Sequence, residues 1–159
     1  MKMKKKGIII CFFGAIVFIF LLVGLWVYGQ RTAETFLLDT YKEATEILYH
    51  EEFSNGREII FFVDENGYIS CALLKKELVG FKTLRISGKL LLYNSGYLCS
   101  FYDDGNERFW IDWGIITDGS LENVWADSKE MKIVECEPYS YRICWLIGTG
   151  EEPQSHIVG

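Results

Sequence analysis

From Gly7 to Tyr28 the chain reads GIIICFFGAIVFIFLLVGLWVY, 22 residues without one charge. At 1.5 Å of rise per residue, a helix of that length covers roughly 30 Å, the depth of a bilayer's hydrocarbon. The run predicts a transmembrane helix over residues 7–28, with membrane lipid as its first partner. Lys2, Lys4, Lys5 and Lys6 make residues 1–6 a basic head, and Arg31 alone follows closely. Basic residues collect on the cytoplasmic side of spanning helices. The expected topology is therefore a single-pass cell-membrane protein, N-terminus cytoplasmic and C-terminal domain outside. Trp26 and Tyr28 fall where amphipathic rings favour the headgroup level. A cleaved signal would carry an apolar core of only about 7–15 residues ending in a small-x-small site. Val27-Tyr28-Gly29 matches that poorly, and Cys11 lies too deep in the run to mark lipoprotein attachment.

Charge divides along the same boundary. All 22 acidic residues and 12 of the 16 basic ones lie beyond the run, leaving that part at −10. So acidic a domain repels phosphate backbones, which excludes nucleic acid as a natural partner. It also gains solubility.

Residues 32–53, TAETFLLDTYKEATEILYHEEF, place Leu37, Tyr41, Ala44 and Leu48 at spacings of four, three and four. That spacing predicts an amphipathic juxtamembrane helix, closed by Ser54-Asn55-Gly56. Thr40 and Glu43 have capping-box spacing but fall inside the helical pattern. Beyond Gly56 the periodicity changes. REIIFFV and YISCALL flank Asp64-Glu65-Asn66-Gly67, a hairpin signal. KTLRIS and KLLLYN flank Gly88, YLCSFY follows Ser95-Gly96, and RFWIDWGIIT follows the Asp103–Asn106 turn. ENVWAD, KIVECE and YRICWLIG complete roughly seven to nine short strands, whose short links predict antiparallel pairing. The expected fold is α+β: a transmembrane helix, a juxtamembrane amphipathic helix, then a mainly antiparallel β domain. Residues 29–148 form the extracytoplasmic domain and 149–159 a flexible tail.

In RFWIDWGII, alternation puts Phe109, Ile111 and Trp113 on one face and Trp110 and Asp112 on the other. The first face is uniformly apolar and belongs to a core. The second sets an aromatic beside an acid, and suits an exposed or partly covered sheet face. Asp112 with Asp118 is the best carboxylate pair for acid/base chemistry on a surface polymer, although acids at strand ends commonly serve the turn. His50 and His156 have no metal-ligand spacing, and both read as surface residues. The DDGNE loop has calcium-friendly oxygens without the order of a calcium-binding loop. No cofactor is implied, and no metal site.

Cys11 lies inside the apolar run. Cys71, Cys99, Cys136 and Cys144 face an oxidising compartment in this topology and permit three connectivities. Cys136 with Cys144 across a hairpin, leaving Cys71 with Cys99, is one possible disulfide set. Buried free thiols are the other reading.

Two layouts are similar to this one. The lysine-rich head, Gly7, the apolar run and a helix reaching about residue 53 resemble type IV pilin-like proteins. That resemblance implies an assembly subunit, but Ile8 follows Gly7 and the run, Cys11 included, has no glutamate. The stretch WGIITD at Trp113 to Asp118, Val124, and YRICWLIG with Arg142 and Trp145 resemble small single-pass extracytoplasmic proteins of Gram-positive bacteria. That resemblance implies the same topology and supplies no activity. The expected function is noncatalytic, binding or modulating an envelope protein or surface ligand. Trp110, Trp125 and Tyr139 are the candidate exposed aromatic anchors. A surface hydrolase built on Asp112 and Asp118 and a pilin-like subunit are the alternatives.

Overall fold

Thr32 opens the folded part of the chain. Its side-chain oxygen accepts the Thr35 N–H at 3.2 Å and caps helix α2, Ala33–Thr40, satisfying one of the orphan donors of the first turn. The computed structural model describes residues 3–54, 56–91, 96–103, 108–137, 139–154 and 156–158, without the side chains of 3–12, 28, 102, 103, 157 and 158. Helix α1, Met3–Gly29, precedes α2 and is joined to it through residues 30–32. Among the described residues no helix is long and apolar enough to cross a membrane. The described side chains of α1, from residue 13 to residue 27, are nearly all exposed.

The rest is antiparallel β structure in layers. Strands β1 (Ala44–Ser54), β2 (Arg57–Asp64), β3 (Tyr68–Lys76) and β4 (Phe81–Leu91) form one sheet in sequence order. A second sheet has the order β5-β6-β10-β9, from β5 (Gly96–Asp103), β6 (Arg108–Ile116), β10 (Arg142–Thr149) and β9 (Lys132–Glu135). A third small sheet joins β11 (His156–Val158), β7 (Val124–Ala126) and β8 (Lys129–Glu130). Eleven strands are thus present among the described residues, against the seven to nine expected.

Three apolar interfaces hold the layers together. The inner faces of the first two sheets meet through Ile59, Phe61, Ile69, Cys71 and Leu73 on one side and Phe109, Ile111, Trp113, Ile115 and Ile143 on the other. Helix α2 covers the outer face of the first sheet, packing Ala33 and Leu37 against Ile60, Phe62, Ala72 and Leu74. The outer face of the second sheet is covered by Val124, Ala126 and Met131, which meet Ile116 and Cys144. Strands β2 and β3 are consequently buried on both faces, which explains their near-continuous apolar runs.

The helix expected over residues 32–53 is far shorter than its periodicity suggests. It ends at Thr40, and residues 44–54 are strand β1. Leu37, Tyr41, Ala44 and Ile47 do share the outer layer, but through a helix, a turn and the start of a strand. Leu48 lies on the opposite side, against the inter-sheet core. A register shift between Ile47 and Tyr49 turns the strand over at that point; such a bulge breaks the two-residue alternation that marks a strand. Ser54 and Gly56 therefore turn a hairpin rather than end a helix, with Gly56 at φ 68°, and Asn55 lies outside the described residues. The long continuous helix of a pilin-like layout is not formed.

Other turns follow the sequence more closely. Asp64 Oδ1 accepts the N–H groups of Asn66 at 2.9 Å and Tyr68 at 3.0 Å, and Gly67 takes φ 79°, joining β2 to β3. Lys89 of β4 lies 3.0 Å from Asp64 Oδ2 and 3.1 Å from Glu43. Burial pushes the Asp64 carboxyl up, but the two N–H groups and Lys89 outweigh it and leave it below the usual carboxylate range. Asp64→Ala is expected to cost about 2 kcal/mol in urea unfolding, because two part-buried N–H donors and Lys89 lose their acceptor. The depressed folded value makes this stabilisation complete above about pH 4, the unfolded carboxyl value, and lost as pH falls through the folded value. Asp64→Asn should accordingly flatten the acid limb of the stability curve. Gly88, expected between two strands, lies within the single strand β4 at φ 66°, where register shifts opposite Ile69 and Cys71. The turn at Ser95 and residues 104–107 of the DDGNE loop lie outside the described residues.

Candidate functional site

Strand β6 alternates as its sequence predicts, and both of its faces are buried. Phe109, Ile111 and Trp113 enter the inter-sheet core. Trp110 and Asp112 point the other way, yet both are sealed, because the polypeptide beyond Thr149 folds back over them. That segment, expected to be a flexible tail, ends in β11, which pairs antiparallel with β7 through His156, Ile157 and Val158. Trp110 and the apolar residues of that face gain from cover, which the residues beyond Thr149 supply, and His156 gives the buried carboxylate a partner.

The centre of the arrangement is one contact. His156 Nε2 lies 2.6 Å from Asp112 Oδ2, and its ring stacks on Tyr97 of β5 with centroids 4.1 Å apart. Asp112 Oδ1 and Trp110 Nε1 are buried without a hydrogen-bond partner among the described residues. Burial drives the Asp112 carboxyl above its ordinary value, opposed by the His156 bond and charge, and Glu152 and Asp127 raise it further. Cys99 faces Asp112 directly across β5 and β6. Burial, Asp112 and a hydrogen bond to Glu152 push its thiol up to about 12. Cys144 of β10 faces Gly114 on the same side, and burial with Asp112 pushes it to about 12 as well. A carboxylate–imidazole pair beside two thiols has the ingredients of nucleophilic catalysis, but thiols held this high stay protonated at neutral pH and are poor nucleophiles. Its evident work is to fasten β11 and the preceding segment over the second sheet.

The other candidate residues are dispersed. Asp118 stands beyond the end of β6 in an exposed turn, where its Oδ1 accepts the Ser120 N–H at 2.8 Å and the Ser120 hydroxyl at 2.7 Å. Those bonds hold its carboxyl below the usual range. Arg142 donates to the backbone carbonyls of Asp118 and Leu121 at 2.9 and 2.6 Å, clamping the same turn. Asp112 and Asp118 therefore do not share a cleft. Trp110 is 1 % exposed and cannot be a surface anchor. Tyr139 is half-buried, donates its hydroxyl to Glu46 at 2.5 Å and stacks on Tyr141, tying β1 to the loop before β10. Trp125 alone of the three keeps an exposed ring, on the outermost sheet.

The four outer cysteines are free thiols. Cys136 enters the inter-sheet core while Cys144 faces the third sheet. Cys71 likewise enters that core, whereas Cys99 is on the Asp112 side of the second sheet. Neither proposed disulfide can close across a sheet, because its two thiols point to opposite faces. Burial holds the Cys136 thiol at about 11.

Two features had weak sequence signals. His50, expected at the surface, lies 3.2 Å from Glu34 of α2 and 2.5 Å from Glu58 of β2, pinning the helix to the sheet. An open cleft of about 570 Å³ lies beside the folded-back segment, lined by Phe101, Arg108, Glu151, Glu152 and Gln154. No group of three His, Cys, Asp or Glu among the described residues could hold a metal ion. No family model, curated protein or solved structure matches the chain.

Proposed function

We propose that this chain is a single-pass membrane protein whose residues 29–148, closed by the segment after Thr149, form a binding domain outside the cell. Its work is to hold or modulate another envelope protein or a surface ligand. The supporting observation is a contrast in apolar surface. In α1, Phe13, Phe18, Phe20 and Trp26 are 61–72 % exposed, while the β layers bury theirs in three cores. A helix apolar on all sides is stable only where something apolar surrounds it. The uncharged run from Gly7 to Tyr28, the lysines before it and the helical backbone of Met3–Gly29 make lipid the natural surrounding. For the binding surface, the exposed Trp125 ring is the favoured anchor, since aromatic residues dominate interface hot spots.

Membrane fractions washed at alkaline pH should retain the full chain, and protease added to intact cells should digest its C-terminal part. Release by the wash, or protection in unbroken cells, would refute the anchored topology. A photo-crosslinker at Trp125 should capture a discrete envelope partner that the same probe at Glu65, an exposed turn residue, does not. Equal labelling from both positions would remove the binding role of Trp125.

A further inference from the structure

Backbone hydrogen bonds close the turn between β3 and β4. The Glu77 N–H donates to the Gly80 carbonyl at 3.0 Å, Gly80 takes φ 76°, and the Lys76 N–H donates to the Gly56 carbonyl at 2.7 Å. Nothing in that geometry requires apolar side chains at the two tip positions, where glycine, asparagine, aspartate or serine is usual. Yet Leu78 is 101 % exposed and Val79 is 39 % exposed. Three lysines, Lys75, Lys76 and Lys82, flank the tip, and Glu77 is the one acid from 75 to 82. This is a basic collar on a domain that carries −10 overall.

The fold also fixes which way the tip faces. Lys75 pairs with Arg57 and Lys76 with Phe81, so the tip shares an end of the first sheet with the β1–β2 turn. Helix α2 begins at that end. Phe36, closing its first turn, has its ring 6.0 Å from Phe81, whereas Tyr41, just past its last turn, meets Phe62 farther along the sheet at 5.5 Å. Residues 30–32 alone separate α2 from α1. The chain therefore enters the domain on the side where Leu78 and Val79 project. The opposite end of the sheet carries Glu43, Asp64 and Glu65, with Lys89 against the first two, while Glu52 and Glu58 face each other beside the β1–β2 turn.

We infer that the Leu78-Val79 tip and its lysine collar rest in the headgroup layer of the membrane that α1 enters, holding the domain against an anionic lipid surface at a second point. Apolar side chains inserted below a ring of lysines suit such a surface, the lysines meeting lipid phosphates while the aliphatic tip enters the acyl boundary. The inference rests on the anchored reading above.

The test uses the full chain, with Cys11→Ser and Cys99→Ser, reconstituted into vesicles of phosphatidylcholine with phosphatidylglycerol. An environment-sensitive fluorophore is attached at Leu78→Cys or, as control, at Asn66→Cys in the β2–β3 turn. The Leu78 probe should shift to the blue and lose emission to brominated acyl chains, while the Asn66 probe does neither. Lys76→Glu with Lys82→Glu should restore its emission, each lysine strengthening lipid contact about fivefold. A chain that floats with the vesicles while both probes behave alike overturns the inference and leaves the anchor standing. So does shielding of the Leu78 probe that grows with protein density, which reports a second copy. A chain that fails to float overturns the anchor and the inference together.

Discussion

Trp110→Ala is expected to destabilise the domain by about 3–5 kcal/mol, the cost of emptying a large aromatic site in a packed interior. The indole is 1 % exposed, with Ala126, Asp127 and Lys129 around it. It lies against Gly148, its register partner on β10, where a Cβ would come within 2.2 Å of the ring. The glycine makes room for the indole, and the indole fills the space the glycine leaves. Gly148→Ala should therefore cost about 1–3 kcal/mol by overpacking. The two substitutions should not add. With Trp110 already reduced to alanine, Gly148→Ala has nothing to strike, so the double variant should be less destabilised than the sum of the singles. Urea unfolding of the four proteins measures the coupling. Additive values would place the indole elsewhere. Trp125→Ala, at a ring 36 % exposed, should cost less than Trp110→Ala, and a loss of partner capture in a variant that still unfolds cooperatively would report binding and not unfolding.

That contrast shows how much of the fold is legible in the sequence. Alternation in RFWIDWGII assigns every side chain from Phe109 to Trp113 to its correct face, because a strand's period of two leaves no freedom. What alternation does not say is whether the second face is covered, since the cover comes from residues beyond Thr149. Alternation therefore gives the face of Trp110 and leaves its exposure open. The Asp64–Gly67 hairpin is legible because its information is local: an aspartate that accepts N–H groups two and four residues on, and a glycine free to take positive φ.

Strand β1 illustrates the converse. Its bulge at Leu48 shifts the apolar residues from one layer to the other. The resulting spacing of three and four is indistinguishable in one dimension from a helical stripe. A clue lies in residue type, for Thr45, Ile47 and Tyr49 suit a pleated strand better than a helix. The site at Asp112 is half legible: the acid stands out between two tryptophans, but its partner is 44 residues away in a segment without periodicity. No local pattern links them. The cysteines show the same limit, because spacing counts residues and says nothing of the face each thiol takes.

The other large effect is expected at the Asp112–His156 contact, where the sign of each substitution separates two physical terms. His156→Ala leaves a carboxylate that is 1 % exposed with neither oxygen paired. Leaving a buried carboxylate without its partner costs roughly 3–5 kcal/mol, and the lower part of that range applies here because the lost ring opens a path for water. The stacking on Tyr97 goes with it. Asp112→Asn should be far milder, below about 1 kcal/mol near neutrality, since a neutral amide can still accept from the imidazole and no charge is then buried. Burial raises the folded pKa of Asp112 above its unfolded value. Its contribution is therefore most favourable below about pH 4 and is lost as pH rises through the folded value. Asp112→Asn removes that loss, so its stability relative to the unsubstituted chain should improve steadily from about pH 4 toward neutrality. Hydrogen exchange at the β7 and β11 amides should rise strongly in His156→Ala and little in Asp112→Asn, if the contact is what holds β11 in place. A pH-independent difference between Asp112→Asn and the unsubstituted chain would mean that the carboxylate is solvated in the folded state. The folded-back segment would then be secured by its strand pairing with β7 and not by the Asp112–His156 contact.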